Sequence, residues 1–462
     1  MIRTHVLRTW ILIACVLTGT ALAQSPVTVT VNLNNPGPAI PDHFLGLSYE
    51  MSHVLPDAHG AHYFSPSNTA LIKTFQMLGI KNLRVGGNGA DSGPIPSNAD
   101  ADSLFAFAQA AGVDVIYTLK LKNSSAGANA APASHIVIND GAGLVCFVVG
   151  NEANAFVGSF GTYANDVKQY MAAINPRANF CGADVNDGGT WASDFANTFV
   201  GFHNVAQITQ HHYLGAGPAN GGAKGRNVLL SPNALGGYAR LRNGIAPAAA
   251  RNGITFRLSE TNSFFHGGAR GASDTFASAL WGLDYLHWWA SHGAAGLNFH
   301  TGDTVIVGGG ITLVPPYAVF LTSSQGQHVH PLGYGVKAFD LGSHGATIPV
   351  TLTNSAGVNL TAYGVLAGPS DLFVTVINKE HDAGARAATV TVVTNSSFTK
   401  GQFMLLAAPN GNVGVTNGMT LGGAAINDDG SWAGTFSPLP APSGGTFTMN
   451  LPAATAAVLH LQ

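Results

Sequence analysis

The sequence predicts an α/β fold, a (β/α)8 TIM barrel with a C-terminal antiparallel β-sandwich. Three observations predict it. Between about residue 40 and residue 330, eight short β-rich runs alternate with longer helix-compatible stretches. Nearly every run is apolar inside and polar at its C-terminal end. Past about residue 330, alternating strands separated by Gly, Asn, Asp and Pro turns take over.

The eight runs are residues 44–51 (FLGLSYEM), 81–87 (KNLRVGG), 114–121 (DVIYTLKL), 144–152 (LVCFVVGNE), 179–185 (NFCGADV), 207–213 (QITQHHY), 254–262 (ITFRLSETN) and 296–302 (GLNFHTG). Helix-compatible stretches between them include 68–78, 101–111, 163–174, 235–252 and 275–292. The polar ends are Glu50, Arg84 with Asn88, Lys120, Asn151 with Glu152, Asp184, His212 with Tyr213, Glu260 with Asn262, and His300. In a barrel these ends converge on one face, where active sites are built. The sandwich strands are expected at 347–353, 359–365, 371–378, 388–394, 401–406, 446–451 and 457–461, and the early run 27–32 (VTVTVN) is placed to join them. The expected division is a leader at 1–23, a joining strand within 24–38, the barrel at 39–330 and the sandwich at 331–462.

The leader is read from Arg3 and Arg8, the apolar run 10–17 (WILIACVL) and the cleavage signal Ala21-Leu22-Ala23. The apolar run is too short to span a bilayer, so the chain is expected outside the cytoplasm, secreted or periplasmic. The alternative is a lipoprotein anchored at Cys15, read from Leu12-Ile13-Ala14-Cys15. No later stretch resembles a transmembrane helix. Charged residues make up 9% of 462 residues, with 20 Lys plus Arg and no basic run, which argues against a nucleic-acid partner. Oligomeric state is not legible here. Cys146 and Cys181 both sit in apolar runs, so two buried free thiols are expected, with a disulfide as the alternative. No cofactor motif appears: Gly308-Gly309-Gly310 lacks the strand, helix and Lys of a phosphate cradle. No metal site is expected. His328 and His330 have suitable spacing but no acidic neighbour in sequence, and His53, His59 and His62 read as loop histidines. Trp281, Trp288 and Trp289 read as helix core.

The sharpest chemical features are Gly150-Asn151-Glu152 and Ser259-Glu260-Thr261-Asn262. A carboxylate at the end of a buried strand is costly without a purpose. The two glutamates stand 108 residues apart, three strand–helix units at roughly 36 residues each, and so end strands four and seven. Two carboxyls facing each other across a barrel mouth suit glycoside hydrolysis, with a gap of about 5 Å giving retention. Glu152 is then the acid/base and Glu260 the nucleophile.

Five stretches carry a family likeness: residues 83–88 (LRVGGN), 149–156 (VGNEANAF), 211–213 (HHY), 259–263 (SETNS) with 267–269 (GGA), and Pro316-Tyr317. In this order they resemble glycoside hydrolase family 79, the β-glucuronidase and heparanase family, within the clan of (β/α)8 retaining glycosidases. The resemblance implies that Glu50 and Asn88 bind sugar hydroxyls and that Asn151 bonds the 2-hydroxyl. It implies that His212 belongs to the substrate site and that Tyr213 supports the nucleophile. Tyr317, with backbone amides around His266, Gly267 and Gly268, would receive the C6 carboxylate of a uronic acid. It implies a carbohydrate substrate, a glucuronide-bearing glycan or glycoside, and removal of terminal glucuronic acid. Ala153 and Phe265 depart from the family pattern, as do Ala318 and Val319. The other readings are a retaining enzyme acting on a neutral sugar or inside a glycosaminoglycan, and a non-catalytic carbohydrate binder.

Overall fold

The computed structural model describes residues 25–186 and 189–462. The expected leader and Cys15 lie outside these. Strand β1 (Ser25–Val31) comes first, followed by eight parallel strands that close into a barrel. They are β2 (Leu45–Glu50), β3 (Asn82–Gly86), β4 (Asp114–Leu119), β5 (Leu144–Val149), β6 (Phe180–Val185), β7 (Val205–Tyr213), β8 (Thr255–Asn262) and β9 (Gly296–His300). Each falls within or overlaps one of the eight runs. The strands are buried because helices cover the barrel outside and side chains fill it inside. The helix Phe276–Ser291 is buried almost end to end, its Trp281 indole donating to Tyr238 Oη at 3.0 Å.

Two hairpins follow β9. One joins Val305–Val307 to Ile311–Leu313, with the triple glycine at its turn; the other joins Phe320–Ser323 to Gly326–Val329. Helices were expected to end near residue 330, yet Pro331–Gly342 is a helix packed against Phe276–Ser291. Its glycines hid it, since each costs a helix about 1 kcal/mol. Gly335 is needed for the close approach: a Cβ there would stand 2.2 Å from the carbonyl oxygen of Ala279.

Beyond it, two sheets stack. One has the order Val350–Thr353, β1, Ala388–Thr394, Thr446–Leu451. The other runs Ala346–Ile348, Leu360–Gly368, Asp371–Asn378, Thr455–Leu461, Gly401–Ala407, Thr420–Leu421, and its neighbours are antiparallel. Strand β1 runs parallel to Ala388–Thr394 and antiparallel to Val350–Thr353. The inward residues of both sheets form one apolar core. Against the barrel, Asp284 accepts from Lys379 Nζ at 2.6 Å, Thr361 Oγ1 at 2.8 Å and Tyr363 Oη at 2.6 Å.

The cysteines correct the expectation of free thiols: Cys146 and Cys181 form a disulfide between β5 and β6. His328 also gains an acidic neighbour that linear spacing hid, with Nδ1 2.9 Å from Asp428 Oδ1. Among the described residues no helix is long and apolar enough to cross a membrane.

Candidate active site

At the C-terminal mouth of the barrel, Arg84 on β3 is fully buried. Its Nη1 donates to Ser48 Oγ at 2.9 Å and Glu260 Oε2 at 2.7 Å; its Nη2 donates to Asn151 Oδ1 and Asp184 Oδ2 at 2.7 and 2.6 Å. A buried guanidinium is tolerable only with such partners. Gly86 and Gly87 follow for steric reasons. At Gly87 φ is +61°, and a Cβ there would stand 2.4 Å from Glu50 Oε2.

Glu260 lies near the C-terminal end of β8 with its side chain largely buried. Burial pushes its pKa up, but His300, His211, Arg84 and a hydrogen bond from Tyr213 outweigh that and hold it well below the carboxylate range. Tyr213 Oη donates to Glu260 Oε1 at 2.8 Å. Asp184 is likewise lowered despite full burial, by Arg84 and His211 and by a short hydrogen bond from Ser259. Burial alone would lower the His211 pKa, but Glu260 and Asp184 raise it to about 10, so its ring is a cation.

Glu152 lies just past β5 and is more open, its side chain 26% exposed. Its φ of +49° is uncommon for a non-glycine residue and re-aims the chain toward the cavity. The turn is pinned: Asp91 Oδ2 accepts from the Asn151 amide at 2.7 Å, and the Glu152 amide donates to the Asp184 carbonyl at 2.9 Å. His211 Nδ1 lies 3.0 Å from Glu152 Oε1. One oxygen of each glutamate and one His211 nitrogen all lie within 4.8 Å of one another. Three donors so close could also hold a cation, but His211 is already engaged by two carboxylates. A second such trio, Asp102, His135 and Asp140, lies outside the barrel, far from the mouth in the fold.

Both glutamates line a cavity of about 440 Å³. Of the residues picked from the sequence, it also brings together Asn88, Asn151, Tyr213, His266, Gly267 and Tyr317. Gly268 stands behind Gly267 against Tyr317. Two expectations need correction. Glu50 is buried behind the cavity wall, accepting from the Gly89 amide at 2.7 Å and the Ile306 amide at 2.9 Å, with His300 Nε2 3.5 Å from its Oε1, and is not among the residues lining the cavity. His212 points out of the barrel, its Nδ1 2.8 Å from Tyr285 Oη, where burial lowers its pKa to about 4. Neighbouring strand residues face opposite sides, so His211, two before Tyr213, is the inward one.

The site also uses Arg84, Asp184, His211 and His300, which had no role from sequence, and Asn186 and Phe265 line the cavity. An Arg within an apolar barrel strand is itself a signal of buried carboxylates facing it.

No family model matches the chain. Over 104 residues, 22% of this chain, it is 29% identical to a curated β-glucuronidase of Aspergillus niger; that stretch spans 19% of the relative's length. Among solved structures, a 4-O-α-L-rhamnosyl-β-D-glucuronidase from Fusarium oxysporum superposes with a TM-score of 0.73 at 19% identity, over 96% of this chain and 99% of that one. A family 51 arabinofuranosidase from Xanthomonas axonopodis pv. citri gives 0.70 at 14%, over 95% and 100%. A family 30 xylanase from Clostridium acetobutylicum gives 0.60 at 16%, over 94% and 99%. At these identities the likeness establishes the shared fold, a barrel carrying a sandwich.

Proposed function

We propose that the chain is an exported retaining glycoside hydrolase, an exo-β-glucuronidase working by double displacement. One observation carries the reading: a buried carboxylate held ionised, Glu260, and a more open one, Glu152, face one cavity with oxygens less than 5 Å apart. An inverting pair would leave room for water, with about 6.5–9.5 Å between carboxyls.

In the first step Glu260 attacks the anomeric carbon while protonated Glu152 gives its proton to the leaving oxygen. Water, deprotonated by Glu152, then opens the glycosyl ester. Esterification of Glu260 removes one negative charge from the pair, which lets two carboxylates this close alternate between roles. Asn151 Oδ1 accepts from Arg84 Nη2, which leaves its amide nitrogen to donate to the 2-hydroxyl from the cavity wall.

Glucuronic acid is supported by the cavity floor. His266, Gly267 and Gly268 have consecutive φ values of +63°, +85° and +101°. Among the described residues their three amides have no protein acceptor. Amides grouped this way receive an anion well, and among the described residues no Lys or Arg lines this cavity. The likeness to the Aspergillus β-glucuronidase and the Fusarium rhamnosyl-glucuronidase supports the same reading.

The test is a panel of chromogenic β-glucuronide, β-glucoside, β-xyloside and α-arabinofuranoside. Turnover of the glucuronide is expected to dominate. Turnover of the neutral sugars alone would overturn the uronic-acid assignment. Tight sugar binding without turnover of any member would favour the carbohydrate binder.

A further inference from the structure

A second cavity, of about 540 Å³, opens on the other side of Glu152. It shares Asn88, Asn151, Glu152, Ile306, Val307 and Gly308 with the first, so the acid/base stands where the two meet. A proton donor has to reach the oxygen joining the sugar to its leaving group. Glu260, Tyr213 and Tyr317 occupy the first cavity only, which leaves the second for the leaving group.

Its chemistry is uneven. The Asp91 carboxylate is turned to the backbone, its oxygens accepting from the amides of Leu121, Lys122 and Asn151, each at 2.7 Å. Lys120 is committed to the Gly93 carbonyl. Lys122 is exposed, and among the described residues its ammonium meets no carboxylate. It lies 5.5 Å from the ring centre of Phe156, which also lines this cavity. An ammonium held over an aromatic face, with no carboxylate to pair with, is the complement of an anionic substituent.

The geometry points to a leaving-group subsite in which Lys122, held over the ring of Phe156, pairs with an anionic substituent of the leaving group. This rests on the hydrolase reading above. Two sources share the chemistry, an aryl acid and an acidic second sugar.

The experiment compares kcat/KM for two aryl β-glucuronides whose phenols have matched acidity, one neutral and one bearing a carboxylate. A parallel pair of disaccharides carries a neutral or an acidic second sugar. The native enzyme is expected to favour the anionic member of at least one pair by about two- to fivefold, the range of an exposed ion pair. That ratio falls toward one in Lys122→Gln and in high salt. Which pair shows the preference identifies the source. Equal rates within both pairs, or a preference that survives Lys122→Gln, overturns the proposal. If no glycoside is turned over, the hydrolase reading falls. Calorimetry with the free aryl carboxylate then decides the subsite: binding weakened by Lys122→Gln supports it, and binding that is absent or unchanged refutes it.

Discussion

Arg84 donates to Ser48, Asn151, Asp184 and Glu260 from inside the barrel, where it is fully buried. Replacing it with Met strands two buried carboxylates and should cost about 3–5 kcal/mol, read as a drop in the urea midpoint. Arg84→Lys keeps the charge but loses the planar fork that serves four acceptors. That variant should fold, lose at least about tenfold in kcat/KM, and show its acid limb at higher pH as Glu260 loses stabilisation. Native kinetics in Arg84→Lys would show that the charge alone suffices. Much at this scale was legible. Glu152 and Glu260 stood out because each ends an apolar run. His212 misled because its neighbour Tyr213 does face the site, and strand alternation forbids both from doing so. Glu50 misled because position at a strand end does not reveal that both its oxygens accept backbone amides.

The strands were readable because each is a short buried run with a polar tail. What they do to one another was not. Strand β5 leads into Glu152 and β6 carries Asp184, yet the two pair only at Phe147 with Phe180 and Val148 with Cys181. The Cys146–Cys181 disulfide crosses this short seam, closing a loop of sequence separation 35. Two apolar runs gave no sign that their cysteines share adjacent strands. The double variant Cys146→Ala with Cys181→Ala should lose about 2–4 kcal/mol in urea unfolding. Its loss should extend to kcat, because the two ladders position the catalytic turn. Unchanged stability would mean that the seam is held by packing alone.

Across the whole molecule, buried charge sets the response to pH. His212 and His287 are held neutral by burial, with pKa values near 4 and 3. The unfolded chain protonates them below about 6.5, so stability falls as pH drops from there. Glu260 and Asp184 add to the loss at lower pH, since their depressed folded values make their contribution present only while they are ionised. On the alkaline side His211, raised to about 10, contributes fully below 6.5 and loses that contribution as pH rises through 10. The urea midpoint should therefore peak near pH 6.5 and decline on both sides; a midpoint still rising between pH 7 and 9 would contradict this. The sequence announced the two-part architecture through its change of texture. It did not announce that Asp284 and Lys379 would join barrel to sandwich, because that pairing exists only once both parts are folded.

The central claim is that Glu152 and Glu260 work as a retaining pair. The most direct test is proton NMR of the sugar released in the first minutes of hydrolysis of a β-glucuronide. The β-anomer should appear first and mutarotate slowly to the α-form. If the α-anomer appears first, the displacement is single, and the assignment of Glu260 as nucleophile is wrong.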